Sequence, residues 1–335
     1  MRLISIAVAL ASVGLVVSCS TGDKEETATP SSESKPSLQP KFDGLYEVTT
    51  DLTKRKVNFA PDPSDEKKPF KIAVRSACSA DNVCTATALT LGDDMKEVPN
   101  TGLLVFDLVD GHWLSVKEVP DGSCQLNPDL RTVKAPYFSI WKVETKDDAP
   151  MPAQGLYIGA NECMNISDIP ATFTRTGDAP ADIALPDPAS QPKRVISPAA
   201  GLRGKYSGPI VTADQPDWKF SQVWDAETHC LRSGAKCVTT VAATQRDENQ
   251  PGSSTAFPAD YIFENGRWTG GAGTGPIECA ENAGRTTKSI TGTFGLPAEP
   301  VPDPIASVTV DQVTSVGDPC ASTLNSQVTL NRTGD

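Results

Sequence analysis

Short runs of alternating apolar and polar residues dominate the chain from Gly44 onwards. In Lys71-Ile72-Ala73-Val74-Arg75, Ile72 and Val74 fall on one face of an extended segment, and Lys71 and Arg75 fall on the other. This is the period-2 pattern of a half-buried strand. Eight such runs follow one another, at 44–52, 69–78, 84–92, 103–109, 112–119, 137–145, 155–162 and 171–176. They are rich in Val, Ile, Thr and aromatic residues, and Gly, Pro, Asp or Asn punctuates them. A second series opens near Tyr206 and continues through 219–230, 237–244, 259–264, 267–269, 290–295, 306–316 and 327–332. Helical periodicity never persists beyond a turn or two, so the pattern predicts an all-β chain.

The two series are copies of one unit. A G-x-Y opens each (Gly44–Tyr46, Gly204–Tyr206), and R-T-G-D closes each (Arg175–Asp178, Arg332–Asp335). Between them, Phe106 to Trp113 and Phe263 to Trp268 share an F-x(n)-G-x-W pattern. Asp110-Gly111 and Asn265-Gly266 supply the tight-hairpin dipeptide at corresponding places,. The copies set the domains at 42–178 and 201–335, with the proline-rich stretch 179–200 as a semi-extended linker. Eight antiparallel strands in up-and-down order close into a barrel, which removes the sheet edges; a two-sheet sandwich is the alternative. The G-x-Y opening followed by a meander resembles lipocalin-type barrels and favours closure.

Each copy carries four cysteines. In an up-and-down order, Cys78 and Cys84 fall at one end of the first unit, and Cys124 and Cys163 at the other. Bridged Cα atoms must lie within about 7 Å, so strand parity predicts Cys78–Cys84 and Cys124–Cys163. The same argument predicts Cys230–Cys237 and Cys279–Cys320. Zinc prefers closer pairs of cysteines, often with histidine. Here five or six residues separate the short pairs, and the chain has two histidines; no metal and no cofactor is expected.

The first residues belong to neither unit. Met1-Arg2 precedes an apolar run from Leu3 to Val17, too short for a typical membrane-spanning helix and laid out like a signal peptide,. Val16-Val17-Ser18-Cys19 resembles a bacterial lipobox. That resemblance implies removal of 1–18 and lipidation of Cys19, with 19–41 left as a lipid-anchored polar tether spanning on the order of 25 Å. The mature chain as a whole resembles exported actinobacterial lipoproteins with tandem four-cysteine β-domains of unknown function. The expected location is the outer face of the cell membrane, where disulfides persist. The formal net charge is −12, divided as −7 over 42–178 and −5 over 200–335. Neither unit offers the basic footprint that nucleic acid requires.

Candidate chemistry is sparse. Trp113 and Trp268 recur at one place and are read as packing residues, with a ligand-site floor as the alternative. Trp141, Trp218 and Trp224 lack counterparts in the other copy, and Trp218 and Trp224 are read as an exposed aromatic patch. His112 and His229 are not equivalent, no G-x-S-x-G elbow accompanies either, and both are read as surface or turn residues. The acid pairs Asp93-Asp94, Asp147-Asp148 and Asp247-Glu248 lie in loop segments as solvated charges do. The glycine run Thr269–Gly275 lacks the helix and the G-K-[ST] of a phosphate loop and is read as a flexible loop. These observations predict a non-enzymatic binding or interaction module with no catalytic residue, held to the membrane through Cys19. Its partner is a cell-envelope component or a protein. One alternative is a hollow barrel carrying an apolar small molecule; another is a hydrolase of envelope glycans or lipids.

Overall fold

The computed structural model describes residues 41–65, 69–126, 131–146, 150–159, 163, 165–213, 215, 217–250, 252–279 and 284–335. The leader, Cys19 and its tether, and Asp147-Asp148 lie outside the described residues.

The chain is all-β and forms two closed antiparallel barrels. The first unit contains β1 (Gly44–Thr50), β2 (Lys56–Val57), β3 (Ala60–Pro61), β4 (Phe70–Cys78), β5 (Cys84–Leu91), β6 (Leu104–Val109) and β7 (His112–Val119). It continues through β8 (Ser123–Leu126), β9 (Arg131–Lys134), β10 (Tyr137–Glu144), β11 (Met151–Gly159) and β12 (Asn165–Gly177). Its ring runs β1-β4-β5-β6-β7-β10-β11-β12, and pairing of β1 with β12 closes it. The short hairpins β2–β3 and β8–β9 are insertions that the strand pattern does not announce.

The second unit contains β13 (Gly204–Val211), β14 (Phe220–Cys230), β15 (Lys236–Asp247), β16 (Ser254–Glu264), β17 (Arg267–Glu278), β18 (Arg285–Gly295), β19 (Ser307–Val316) and β20 (Ser322–Gly334). These eight strands close in sequence order, with no further strand between them among the described residues. Both units are therefore barrels and not sandwiches.

The repeated motifs meet at the closure. Gly44 has φ +129°, and a Cβ there would lie 2.5 Å from the Gly177 carbonyl oxygen. Gly204 has φ +95°, and its Cβ would lie 2.5 Å from that of Gly334. The glycine of G-x-Y thus lets the first strand pass against the R-T-G-D backbone. Arg175 Nε donates to the Asp43 carbonyl at 3.0 Å, and Arg332 Nε to that of Arg203 at 3.3 Å. The ladder shifts register beside the tyrosine in both barrels. Asp110-Gly111 and Asn265-Gly266 both have positive φ at each residue, as the mirror-image turns of two-residue hairpins require.

Large side chains fill both interiors. Trp113, Phe106, Phe42, Phe173 and Trp141 share one core. Trp224, Tyr261, Trp268 and Phe294 anchor the other, with Trp268 stacked on Phe294 at 4.8 Å. The two buried indoles of the second barrel find partners inside it. Trp268 Nε1 donates to Thr239 Oγ1 at 3.0 Å, and Trp224 Nε1 to Gln222 Oε1 at 3.0 Å.

Four disulfides staple the barrels. Cys78–Cys84 and Cys230–Cys237 join directly paired residues of neighbouring strands, with Cα atoms 4.0 and 3.9 Å apart. Cys124–Cys163 and Cys279–Cys320 span 5.7 and 5.8 Å and close longer loops. Thr269–Gly275 departs from expectation, because it lies within β17 and is not a loop. A Cβ on Gly271 would sit 2.0 Å from the Ile290 carbonyl oxygen, and one on Gly270 2.1 Å from that of Asp260. The absent side chains let β16 and β18 approach from both sides. The ladder with β18 then slips between Ala272 and Gly275.

Candidate functional site

Both barrels fall within one compact unit, 39–335, and buried polar groups bridge them where they meet. The joint begins as an apolar seam. Alternation puts Trp141 and Val143 inside the first barrel and leaves Phe138 and Ile140 on its outer face, with Leu156, Ile158 and Ile166 beside them. These five form a buried cluster with Val238 of the second barrel, and Leu114, Val116, Leu231 and Ile262 pack against it.

Charges flank the seam. Asp107, on the outer face of β6, is buried and accepts from Arg232 Nε at 3.1 and 2.9 Å through its two oxygens. Thr85 Oγ1 donates to Asp107 at 3.2 Å and accepts from Arg232 Nη2 at 3.1 Å. Arg194 Nη1, from the linker, approaches the same carboxylate at 3.7 Å. The linker runs between the barrels. Its Pro186 carbonyl accepts from Thr87 Oγ1 at 2.6 Å, and its Val195 N–H donates to the Arg232 carbonyl at 2.9 Å. On the other flank, Lys236 Nζ meets Glu118 Oε1 at 2.5 Å.

His229 is buried, with 8% of its surface exposed, and so is not the surface or turn residue the sequence predicts. It lies at the end of β14, facing the joint beside Val238. Its Nε2 is 3.4 Å from Glu227 Oε1. Burial lowers its pKa below the usual imidazole range; Glu227 opposes that shift, and Lys142 and Arg194 reinforce it. Asp260 is 2% exposed, and burial pushes its carboxyl up to about 7. His112 behaves as expected, with Nδ1 2.9 Å from the Asp110 carbonyl oxygen of its own turn.

The remaining candidates have structural partners. Asp94 Oδ1 accepts from the Lys96 N–H at 3.2 Å, and Asp247 Oδ1 from the Asn249 N–H at 2.9 Å. Glu248 accepts from the Ser221 hydroxyl. A recess of about 200 Å³ beside Asp247 and Glu248, and one of about 160 Å³ at the Cys124–Cys163 bridge, are both small beside ordinary ligand pockets of roughly 300–1,000 Å³,. Burial raises Tyr157, which lines the second recess, to about 12, so it stays protonated at neutral pH. Trp113 and Trp268 are fully buried, as packing residues are. The expected aromatic patch is corrected: Trp224 is buried in the core, stacked on Tyr261 at 5.3 Å. Only Trp218 is exposed, at 49%, with Phe220 edge-on at 5.8 Å. Trp141, unmatched in the other copy, is also core. Among the described residues, no group of three or more His, Cys, Asp or Glu side chains comes together to hold a metal. The filled interiors remove the basis for a hollow carrier.

Residues 39–190 match the PknI serine/threonine-protein kinase sensor domain family, a span that ends inside the linker segment packed on β5. Serine/threonine-protein kinase PknI of Mycobacterium bovis and of Mycobacterium tuberculosis are each 22% identical over 182 residues, which is 52% of this chain and 30% of the kinase. The chain thus spans about a third of the length of these relatives. The monomer form of the M. tuberculosis PknI sensor domain is 20% identical, covers 44% of this chain and 97% of that one, and superposes with a TM-score of 0.37. The dimer form is 21% identical over 38% and 82% of the two chains, with a TM-score of 0.32. The likeness is to the sensor part of a kinase, a non-catalytic module. Together with four disulfides, it points to an extracytoplasmic location.

Proposed function

We propose that this chain is a lipid-anchored, extracytoplasmic sensing or binding module without catalytic activity. In this reading the lipid sits on Cys19, residues 19–41 are the tether, and the barrels at 42–178 and 201–335 are presented on the outer face of the membrane with the 179–200 linker between them. The observation that carries it is the match of 39–190 to a kinase sensor domain. Because the barrel interiors are occupied by Trp113, Trp141, Trp224 and Trp268, recognition falls to the outer surfaces. The partner is then a protein or a cell-envelope component. An excess of acidic residues on both barrels makes nucleic acid unsuitable.

Two measurements on intact cells test the reading. Metabolic labelling with a palmitate analogue should mark the wild-type chain and not the Cys19→Ala variant, which should be released from the membrane. Photo-crosslinking residues in place of Val83 on the first barrel and Trp218 on the second, both well exposed, should capture a discrete envelope partner from at least one position. Label retained on Cys19→Ala defeats the anchor, and no adduct from either position defeats the binding role.

A further inference from the structure

His229 and Asp260 share the outer face of the second barrel that carries Val238 and Ile262, since Cys230, Cys237 and Tyr261 take the interior side of the same strands. His229 pairs across the sheet with Val238, and Asp260 with Thr240, so the two groups stand in adjoining rows of the face whose Val238 and Ile262 meet the first barrel. Both are more than nine-tenths buried. Among the described residues Asp260 Oδ1 has no hydrogen-bond partner, and His229 Nε2 has only the Glu227 carboxylate 3.4 Å away, outside hydrogen-bond geometry. A charge left in such a place loses its hydration without compensation.

The surrounding charges do not supply that compensation. His229 faces the half-exposed Glu227 on its own strand, but also Lys142 from β10 and Arg194 from the linker, which oppose an imidazolium. Asp260 has Thr240 and Gly271 across its two ladders. On the outer faces of the first-barrel seam strands, Glu118 is held by Lys236 and Asp168 by Gln154 at 2.9 Å.

We propose that the joint between the barrels is proton-compensated: when it forms, His229 enters as the neutral imidazole and Asp260 as the protonated acid, so that one proton is released to water and one is taken up. The directions of the two shifts agree with this and fix the signs. A solvated aspartate loses its proton near 3.8; buried as it is here, Asp260 keeps it up to about 7. Taken alone, Asp260 weakens the joint as pH rises between those values, by up to tenfold per pH unit. His229 is lowered in the joint from an ordinary 6.5. Taken alone, it strengthens the joint as pH rises from its lowered value to 6.5, by up to about tenfold per unit. Where the windows overlap, the two slopes cancel.

Hydrogen exchange of β10, β11, β15 and β16 in the full chain, corrected for the intrinsic rate at each pH, reads the opening equilibrium. Between pH 5.5 and 6.5 the wild-type protection should be nearly flat. Asp260→Asn should make protection rise with pH, and His229→Gln should make it fall, each by up to about tenfold over that unit. Parallel wild-type and variant profiles overturn the proposal, as does a steep wild-type profile. Near-ultraviolet circular dichroism of the buried tryptophans checks that the variants keep both barrels. One measurement needs no variant. His229 is one of only two histidines, and ring nitrogen NMR of the wild type should find it neutral at pH 6. A protonated ring at that pH overturns the proposal even if neither variant folds.

Discussion

Trp268 is enclosed on every side, by Phe263, by the stacked ring of Phe294 and by the Thr239 hydroxyl that accepts its indole N–H. Truncation would leave a large cavity, while the Thr239 hydroxyl would keep its contact with the Thr228 hydroxyl at 2.7 Å. Trp268→Ala should therefore cost about 3–5 kcal/mol, read as a fall in the urea midpoint of the second barrel. This residue and Trp113 were legible in the sequence because a turn glycine precedes each by two positions in both copies. Asp107 and Asp260 were not legible. Each is a lone acid inside an apolar strand (Leu-Val-Phe-Asp-Leu-Val, Ala-Asp-Tyr-Ile-Phe), and the period-2 pattern assigns such a residue to solvent. It is buried here because the outer faces of β6 and β16 are themselves covered, and a single strand's alternation carries no record of what lies against its second face. His229 was misplaced for the same reason.

At the level of elements, hydrophobic alternation located all sixteen ring strands, and strand parity paired the cysteines in the way the structure joins them. The hairpins β2–β3 and β8–β9 were missed, being two to four residues per strand, too short to show a period. The middle of β17 was missed because Thr-Gly-Gly-Ala-Gly-Thr-Gly has little intrinsic strand preference; the close approach of β16 and β18 selects glycine there, a tertiary demand. The two kinds of disulfide should differ in effect. The chain-entropy account gives about 2 kcal/mol for the short clamp and about 4 kcal/mol for the long one. Replacing Cys230 and Cys237 together by Ala should therefore lower the denaturation midpoint by about half as much as replacing Cys279 and Cys320.

For the whole molecule, the Asp107–Arg232 contact ties the barrels through both carboxylate oxygens, reinforced by Thr85 and Arg194. Removing the carboxylate leaves a largely buried guanidinium without its counter-charge, at a cost of about 3–5 kcal/mol. Asp107→Ala should accordingly divide thermal unfolding into two calorimetric transitions, one for each barrel, where the wild type shows them coupled. A single transition with an unchanged midpoint would mean that the apolar seam alone holds the barrels together. The closure of each barrel has a separate consequence. G-x-Y and R-T-G-D are neighbours in space because the first and last strands of each unit lie side by side. Each unit is thus a ring with a single cut, and its two ends emerge together. A ring of that kind can be copied and rejoined by a short strap without rearranging any strand, as the segment after Asp178 does. The position of the cut is also a free choice. Opening the backbone at Asn265-Gly266 and joining Asp335 back to Gly204 through a few added residues would describe the same ring, read from a different starting point.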